Sequence, residues 1–317
     1  MQPNTILNID FLNNDLPDKC ANLIIADPPY FEVKGSFDFV WNSFDDYLKD
    51  VEKWAIECKR LLTDNGTLFW YGHAKKIAYS QIILDRYFNL ENHAVWHKYD
   101  AQAKKGVEYF NCFAPVKEHL LMYSNEVIRT GLEEIKLDIN NFKPLRDYFE
   151  YVQKVLRLPK KAFLDKIGQS ADHCFRWGSS QWGMPTKETY NELIKVFKIN
   201  LLSGFKEYEE LRQEYEELRR PFNNVHKLTD VLKFSQESHV SRKYNHDTIK
   251  PETLTRALIQ TCSRRGDTVV VPFAGSGTEC AMAAKEKRIF YGFDIDAKHV
   301  QTSTKRANAQ LRTTTLF

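Results

Sequence analysis

The segment "DTVVVPFAGSGTECAMAAKEKRIFYGFD" (267–294) constrains this chain more than any other. "DTVVVPF" (267–273) is a β-branched apolar run of strand type, "TECAMAAKEK" (278–287) reads as a helix, and "RIFYGFD" (288–294) as a second strand. That succession is a βαβ unit, which requires a parallel sheet with helices on its faces. The turn inside it carries Phe273, Gly275, Ser276, Gly277 and Thr278. Glycines there let the backbone approach a ligand closely, and the helix start offers free N–H groups. The Lys-Ser/Thr ending of a P-loop is absent, as is the third glycine of the dinucleotide fingerprint. Asp294 closes the second strand, where an acid either binds both hydroxyls of a ribose or caps the strand end. Asp296 is the second candidate, because "DID" leaves the register open by one pleat. The order strand, turn, helix, strand and acid points to a cofactor that contains a nucleoside.

Near the other end, the apolar run "CANLII" (20–25) leads into "ADPPYF" (26–31). Pro28 and Pro29 end the strand ladder and fix φ, so Asp27, Tyr30 and Phe31 emerge rigidly at the strand's carboxyl end. In open α/β sheets ligands bind at that edge. Taken alone, the stretch is equally well a strand-ending turn with an exposed acid.

"TILNI" (5–9), "TLFWY" (67–71), "HAVWHK" (93–98) and "EHLLMYS" (118–124) read as further strands. A helix is expected over 44–62, with "NG" at 65–66 marking its exit, and another over 251–263. Each end alone has too few strands for a good core, so both are expected to share one sheet. The middle is charged and helical: 145–157 and 186–197 are amphipathic, while 205–222 is dense in Glu and Arg and reads as a solvated surface helix. The fold class is therefore α/β, a mostly parallel sheet with helices on both faces. The expected domains are 1–123 and 241–317, which complete one another, and a helical insert over 124–240.

The composition, 43% hydrophobic and 27% charged over 317 residues, is that of an ordinary globular protein. A net charge of +3 is too small to announce nucleic-acid binding, so any electrostatic footprint is local. The six cysteines lie far apart, without a C-x-x-C pair or a histidine at metal spacing. That argues against a metal site and a disulfide framework, and fits a reducing cytosol. The N-terminus lacks the basic-then-apolar order of a signal peptide, and no apolar run approaches a membrane span. A soluble, cytoplasmic protein without a membrane partner is expected.

"DPPY" (27–30) together with "PFAGSGT" (272–278) closely resembles the amino-group DNA methyltransferases that use S-adenosylmethionine. The order, catalytic motif first and cofactor motif last, is that of the family's β-class. "NIDFLNNDLPDKCANLIIADPPY" (8–30) is similar to the usual approach to the catalytic motif, with Ile9 where a glycine is common. "NHDTIKPETL" (245–254) resembles the segment before the glycine loop, and "VWHK" (95–98) and "KEHLLMY" (117–123) resemble later strands of the catalytic part. The resemblance covers roughly 5–123 and 241–310.

It implies a Rossmann-like class I methyltransferase sheet with an inserted target-recognition domain. The implied activity is N6-methylation of adenine in double-stranded DNA after base flipping, by an enzyme of a restriction-modification system or an orphan methylase in a prokaryotic or phage setting. N4-methylation of cytosine is the nearest alternative, although those enzymes more often carry Ser in place of the Asp. RNA or protein-amide methylation and non-catalytic DNA binding stand further off. A homodimer and a partner restriction endonuclease are the other implied associations.

By the same resemblance Asp27, Pro28, Pro29 and Tyr30 are catalytic. The Asp27 carboxylate and Pro28 carbonyl accept from the target amino group, favouring a pyramidal nitrogen whose lone pair attacks the methyl in line. Tyr30 stacks on the flipped base. Phe273, Gly275, Ser276, Gly277 and Thr278 line the methionine half of the cofactor beside Asp27, and Asp294 takes the ribose. Asp10 with Phe11 meets the adenine, unless Asp10 is a plain cap. Lys250 with His246 and Thr248 holds the methionine carboxylate.

Candidate DNA contacts are scattered. Lys98, Lys104 and Lys105 lie in a loop that is either a phosphate contact or merely solvated. "KKAFLDKIGQSADHCFRWG" (160–178) reads as helix, Gly168, helix, which resembles a helix-turn-helix with Gln169, Ser170 and Arg176 on or near the second helix. A helical hairpin without DNA contact is the other reading. The loop with Phe37, Phe39 and Trp41 either orders over a flipped base or packs beneath it.

Overall fold

In the computed structural model the described residues are 1–33, 40–98, 111, 113, 115–125, 142–177, 182–236 and 249–314. The chain divides into two compact units, Met1–Thr130 with Pro221–Phe317, and Gly131–Arg220. The divisions fall at 131 and 220 rather than at 124 and 240, so residues 221–236 belong with the first unit.

The first unit is built on eight strands: β1 (Thr5–Leu7), β2 (Ala21–Ala26), β3 (Leu62–Gly72), β4 (Asn89–His97), β5 (Lys117–Ser124), β6 (Val231–Lys233), β7 (Thr268–Val271) and β8 (Ile289–Phe293). They lie in the order β1-β8-β7-β2-β3-β5-β4-β6. Every neighbouring pair is parallel except the two that involve β5. The two chain ends do share one sheet: β2 pairs β7 with Leu23 opposite Val269 and Ile24 opposite Val270.

Alternation along the central strands sorts their side chains onto two faces. Leu23, Ile25, Phe69, Val269 and Val271 join one core cluster, and Ile24, Leu68, Trp70 and Val270 join the other. Both clusters are buried, which is why these strands read as continuous apolar runs. Helix α1 (Phe44–Leu61) covers the second face with Tyr47, Val51, Trp54, Cys58 and Leu61 at helical spacing. Its start is fixed by Ser43, whose side chain accepts from the Asp46 N–H, and Asp45 and Asp46 complement the dipole. Helix α2 (Ile77–Leu84) follows β3 on that face.

The "NG" pair does not form the expected exit turn. Pairing between β2 and β3 jumps from Ala21 with Leu62 to Leu23 with Thr67, so 63–66 bulge out within β3 instead.

The second unit contains α3 (Lys143–Leu156), α4 (Lys160–Ile167), α5 (Lys187–Phe197) and α6 (Tyr208–Leu218). Its core is aromatic, with Phe163 stacked on Phe175 at 4.3 Å and the hydroxyls of Tyr148 and Tyr190 2.6 Å apart. On α6 only Leu211 is buried, and Arg212 pairs with Glu216, as a solvated helix requires. The expected second helix of a helix-turn-helix is absent. After Gly168 (φ 93°) the chain makes two 3-10 turns, Gln169–Ala171 and His173–Phe175, so no helix here presents Gln169, Ser170 and Arg176 together.

Back in the first unit, α7 (Glu252–Cys262), α8 (Thr278–Lys285) and α9 (Ala297–Thr314) complete the fold. Helix α8 lies close on the sheet because it is lined with Cys280, Ala281, Ala283 and Ala284 and faces Gly292 of β8. A methyl group on Gly292 would lie 2.8 Å from Cys280 Sγ and 3.0 Å from Ile6. Gly292→Ala is expected to cost about 1–3 kcal/mol and lower Tm by several degrees, measured by thermal melting; an unchanged Tm contradicts this packing.

Candidate active site at the carboxyl edge of the sheet

Chain direction gathers the chemistry at one edge. Strand β2 continues to β3 on one side and β7 to β8 on the other, so the crevice above β2 and β7 is a topological switch point. Asp27 follows β2, the glycine loop follows β7 and Asp294 follows β8. Strand β5 runs the other way, with His119 opposite Gly72, so its amino end with Glu118 reaches the same edge.

Each oxygen of Asp27 accepts one hydrogen bond from the protein. Tyr30 donates its hydroxyl to Oδ1, and the Lys250 ammonium donates to Oδ2 at 2.5 Å. Lys250 Nζ also lies 3.3 Å from Glu118 Oε2 and 4.7 Å from the centre of the Tyr71 ring. Glu118 Oε1 in turn accepts from Lys98 Nζ at 2.6 Å. The result is an alternating row, Asp27, Lys250, Glu118, Lys98, with Lys250 only 3% exposed.

Burial opposes the charge on Lys250, yet the carboxylates of Asp27 and Glu118 outweigh it and raise its pKa. Burial likewise opposes the Glu118 carboxylate, and Lys250 and Lys98 reverse that and lower its pKa. The Tyr30 phenol is pushed well up by burial and by Asp27, which keeps it a donor.

Glu279, in the first turn of α8, is the exception. Burial and then Asp27 push its carboxyl up to about 7, and its Oε1 is buried without a hydrogen-bond partner. Thr255 Oγ1 and the Tyr71 hydroxyl are also buried without partners.

The glycine loop takes left-handed backbone at Gly275 (φ 47°) and Gly277 (φ 75°). Gly275 N–H donates to Asp294 Oδ2 at 2.8 Å, and Asp294 Oδ1 accepts from Asp296 N–H and lies 3.4 Å from His299 Nδ1. Asp296 instead caps the start of α9 by accepting from Lys298 N–H, so Asp294 is the acid that faces the loop. Space at Gly277 serves the fold: a Cβ there would sit 2.4 Å from Ser303 Cβ on α9. Arg306 of α9 donates to Thr278 Oγ1 and the Ser276 carbonyl and pairs with Glu252 at 2.6 Å, so Ser276 and Thr278 are turned to structural bonds.

Other expected positions fall differently. Asp10 is exposed and caps the 3-10 turn Phe11–Asn13 through Leu12 N–H, the plain alternative. Phe11 is 2% exposed and packs on Phe273 and Phe293, so it is core rather than free to meet a ligand. Lys250 meets the carboxylates of Asp27 and Glu118. Trp41 packs on Tyr47 and Trp54 of α1, the packing alternative, and Phe31 is buried against the same group. Lys98 is held by Glu118 and stacks over Trp96, and Arg176 pairs with Asp172, which also holds Lys160. Gln169 and Ser170 are exposed. His246, Thr248, Lys104, Lys105, Phe37 and Phe39 lie outside the described residues. Among the described residues no group of His, Cys, Asp and Glu has the makings of a metal site, and no helix is long and apolar enough to cross a membrane.

Comparison with known proteins decides the family. The model of the N6/N4 DNA methylase family matches residues 21–305. The chain belongs to that family. It is 26% identical over 286 residues to the type II methyltransferase M.BamHI of Bacillus amyloliquefaciens, covering 90% of this chain but 52% of that protein, about half its length. It is 23% identical to the DNA adenine methyltransferase YhdJ of Escherichia coli, over 92% of this chain and 77% of that one. Among solved structures, the putative DNA modification methylase TTHA0409 of Thermus thermophilus superposes with a TM-score of 0.51 at 16% identity, covering 97% and 95% of the two chains. The PvuII cytosine-N4-specific methyltransferase gives 0.53 at 13%, covering 96% and 88%. At these identities the structures establish the shared α/β fold.

The buried Glu279 carboxyl carries a pH signature. Its folded pKa of about 7 lies above the ordinary 4.5, so the folded state binds the extra proton between those values. Stability therefore falls as pH rises through that window. Glu279→Gln is expected to be more stable than wild type at pH 8.5 by a few degrees in Tm, with a smaller gain at pH 5. A difference that stays flat across thermal melts at both pH values contradicts it.

Proposed function

We propose that this chain is an S-adenosylmethionine-dependent, site-specific DNA methyltransferase that acts on the exocyclic amino group of adenine. The observation that carries the reading is that Asp27-Pro28-Pro29-Tyr30 follows β2 and the glycine loop follows its paired neighbour β7, with Asp294 bonded to that loop. The donor set fits the cofactor: left-handed glycines at a helix start, an acid at the next strand end, and buried polar atoms of Glu279, Thr255 and Tyr71 that lack partners. Phe273, Gly275 and Asp294 would hold it. When bound, it would supply an electrophilic methyl on a sulfonium, with a neutral thioether as leaving group and one amino proton released.

The protein's part is positional. Asp27 and the Pro28 carbonyl accept from the amino N–H groups, and proline, having no N–H, leaves its peptide purely an acceptor. Tyr30 offers its ring to the flipped base, which offsets part of the few kcal/mol that flipping costs. Adenine is favoured by the Asp at the head of the motif and by the likeness to YhdJ, whose name specifies adenine. Cytosine N4 is the second reading, favoured by the shared fold of the PvuII enzyme. The helical unit 131–220 is the region that reads the DNA site, and the type II names among the relatives suit a companion endonuclease.

Transfer from labelled S-adenosylmethionine to unmethylated duplex DNA, with product nucleosides resolved, is the test. N6-methyladenine is expected from wild type, with the rate falling about 10²–10³-fold in Asp27→Ala while cofactor affinity stays near wild type. N4-methylcytosine establishes the second reading, and transfer to RNA or protein alone overturns both. Asp294→Ala is expected to weaken cofactor binding about tenfold by calorimetry, the loss of roughly one charged hydrogen bond.

A further inference from the structure

Lysines that are buried or half-buried in this chain have an oxygen partner, with one exception among the described residues. Lys250 pairs with Asp27, Lys98 with Glu118, Lys160 with Asp172 and Lys206 with Glu214, while Lys59 donates to the Asn125 side-chain carbonyl. Lys76 is the exception. Its half-buried ammonium lies 4.6 Å from the centre of the Phe31 ring and 4.5 Å from that of Phe44. Among the described residues it meets no carboxylate and no hydrogen-bond acceptor. The two rings attract the charge and hold it in place, but they do not take up its three N–H groups as oxygens do. Solvent still reaches the ammonium, so an anion from outside can too.

The place of Lys76 on the sheet decides which anion suits it. Phe31 directly follows the catalytic turn, and Lys76 lies in the loop between β3 and α2. In the order β8-β7-β2-β3 the glycine loop and Asp294 lie on one side of that turn and Lys76 on the other. In-line transfer puts the sulfur and the attacking nitrogen on opposite sides of the methyl. The target nucleotide therefore approaches from the side away from the glycine loop, which is the β3 side. Further positive charge gathers there. Lys75 in the same loop and Lys117 at the head of β5 are exposed and make no ion pair among the described residues, and α2 has no acid in its first turn. Burial, and after it His93, Lys117 and His73, holds the His119 pKa down to about 4, with no carboxylate opposing them.

We propose that Lys76 binds a backbone phosphate of the DNA strand that carries the target base, whose oxygens take up the N–H groups the protein leaves open. The proposal rests on the methyltransferase reading above and names the contact that seats its substrate strand. A phosphate contact carries no sequence information, so Lys76 serves every site alike and fixes the strand in register with the catalytic turn. The Phe31 ring links the two, since the charge rests on the residue next to Tyr30.

Lys76→Met keeps the length of the side chain over both rings and removes its charge. It is expected to weaken binding to duplex DNA about tenfold near physiological salt, by a similar factor on duplexes of unrelated sequence. The slope of log Kd against log salt is expected to fall by about 0.9, the counterion equivalent of one phosphate. Lys76→Arg, which keeps the charge, is expected to stay within about threefold of wild type in affinity and to keep the slope. Binding of S-adenosylhomocysteine by calorimetry and Tm are expected to be the same in all three proteins. A loss of affinity with an unchanged slope shows that Lys76 only packs the rings and overturns the proposal, as does an unchanged affinity. A wild type that binds no duplex DNA at low salt overturns the methyltransferase reading together with the contact. A wild type that binds DNA with a slope indifferent to Lys76→Met overturns the contact alone.

Discussion

Lys250 and Asp27 lie 223 positions apart in the chain, and the bond between them depends on almost everything else in the first unit. A buried ammonium is stable only where carboxylates surround it, so three segments must arrive at one point: the turn after β2, the head of β5 and the start of α7. The sheet order brings them there. Seven strands deliver their carboxyl ends to one edge, and the single reversed strand delivers its amino end. Small side chains on α8, together with Gly292, let that helix lie close on β8.

A second buried cation does the same work for the neighbouring loop. Arg306, 2% exposed, ties α9 to the glycine turn through Thr278 and Ser276 and to α7 through Glu252. Gly277 is then needed because Ser303 of that helix occupies the space a side chain would take. The loop's shape is thus set from behind by α9 as much as from the front by any ligand. Left-handed backbone at Gly275 and Gly277 carries no strain, because both positions are glycine.

The parts of this architecture that were legible in the sequence are those encoded locally. β2, β7 and β8 are mostly apolar runs rich in β-branched or aromatic residues because both faces of the sheet are covered, and α1 carries its apolar stripe at helical spacing. The catalytic and glycine turns announce themselves by Pro and Gly. What escaped is non-local. β6 is three residues long with two of them exposed, so it has no pattern, and it exists only because β4 offers an edge. Glu118 looked like a polar residue at the head of a strand until its register against β3 was known. Glu279 in "TECAMAA" and Arg306 in α9 carried a signal, a charge at a position whose spacing is otherwise apolar, but their partners come from other elements. The second helix after Gly168 failed because Gly168 and the short polar run after it favour tight turns over a helix.

The segment 131–220 leaves the sheet after β5 and returns to it at β6, and these strands flank β4 on either side. The sheet pairings on either side of it are made without any of its residues. Its core, built on Phe149, Phe163, Phe175 and Tyr190, is drawn, among the described residues, from its own side chains. Such a segment is a graft: lineages can lengthen, trim or exchange it without disturbing a single pairing register in the sheet. Its sequence can drift while the pairings that bring Asp27 to Lys250 stay fixed.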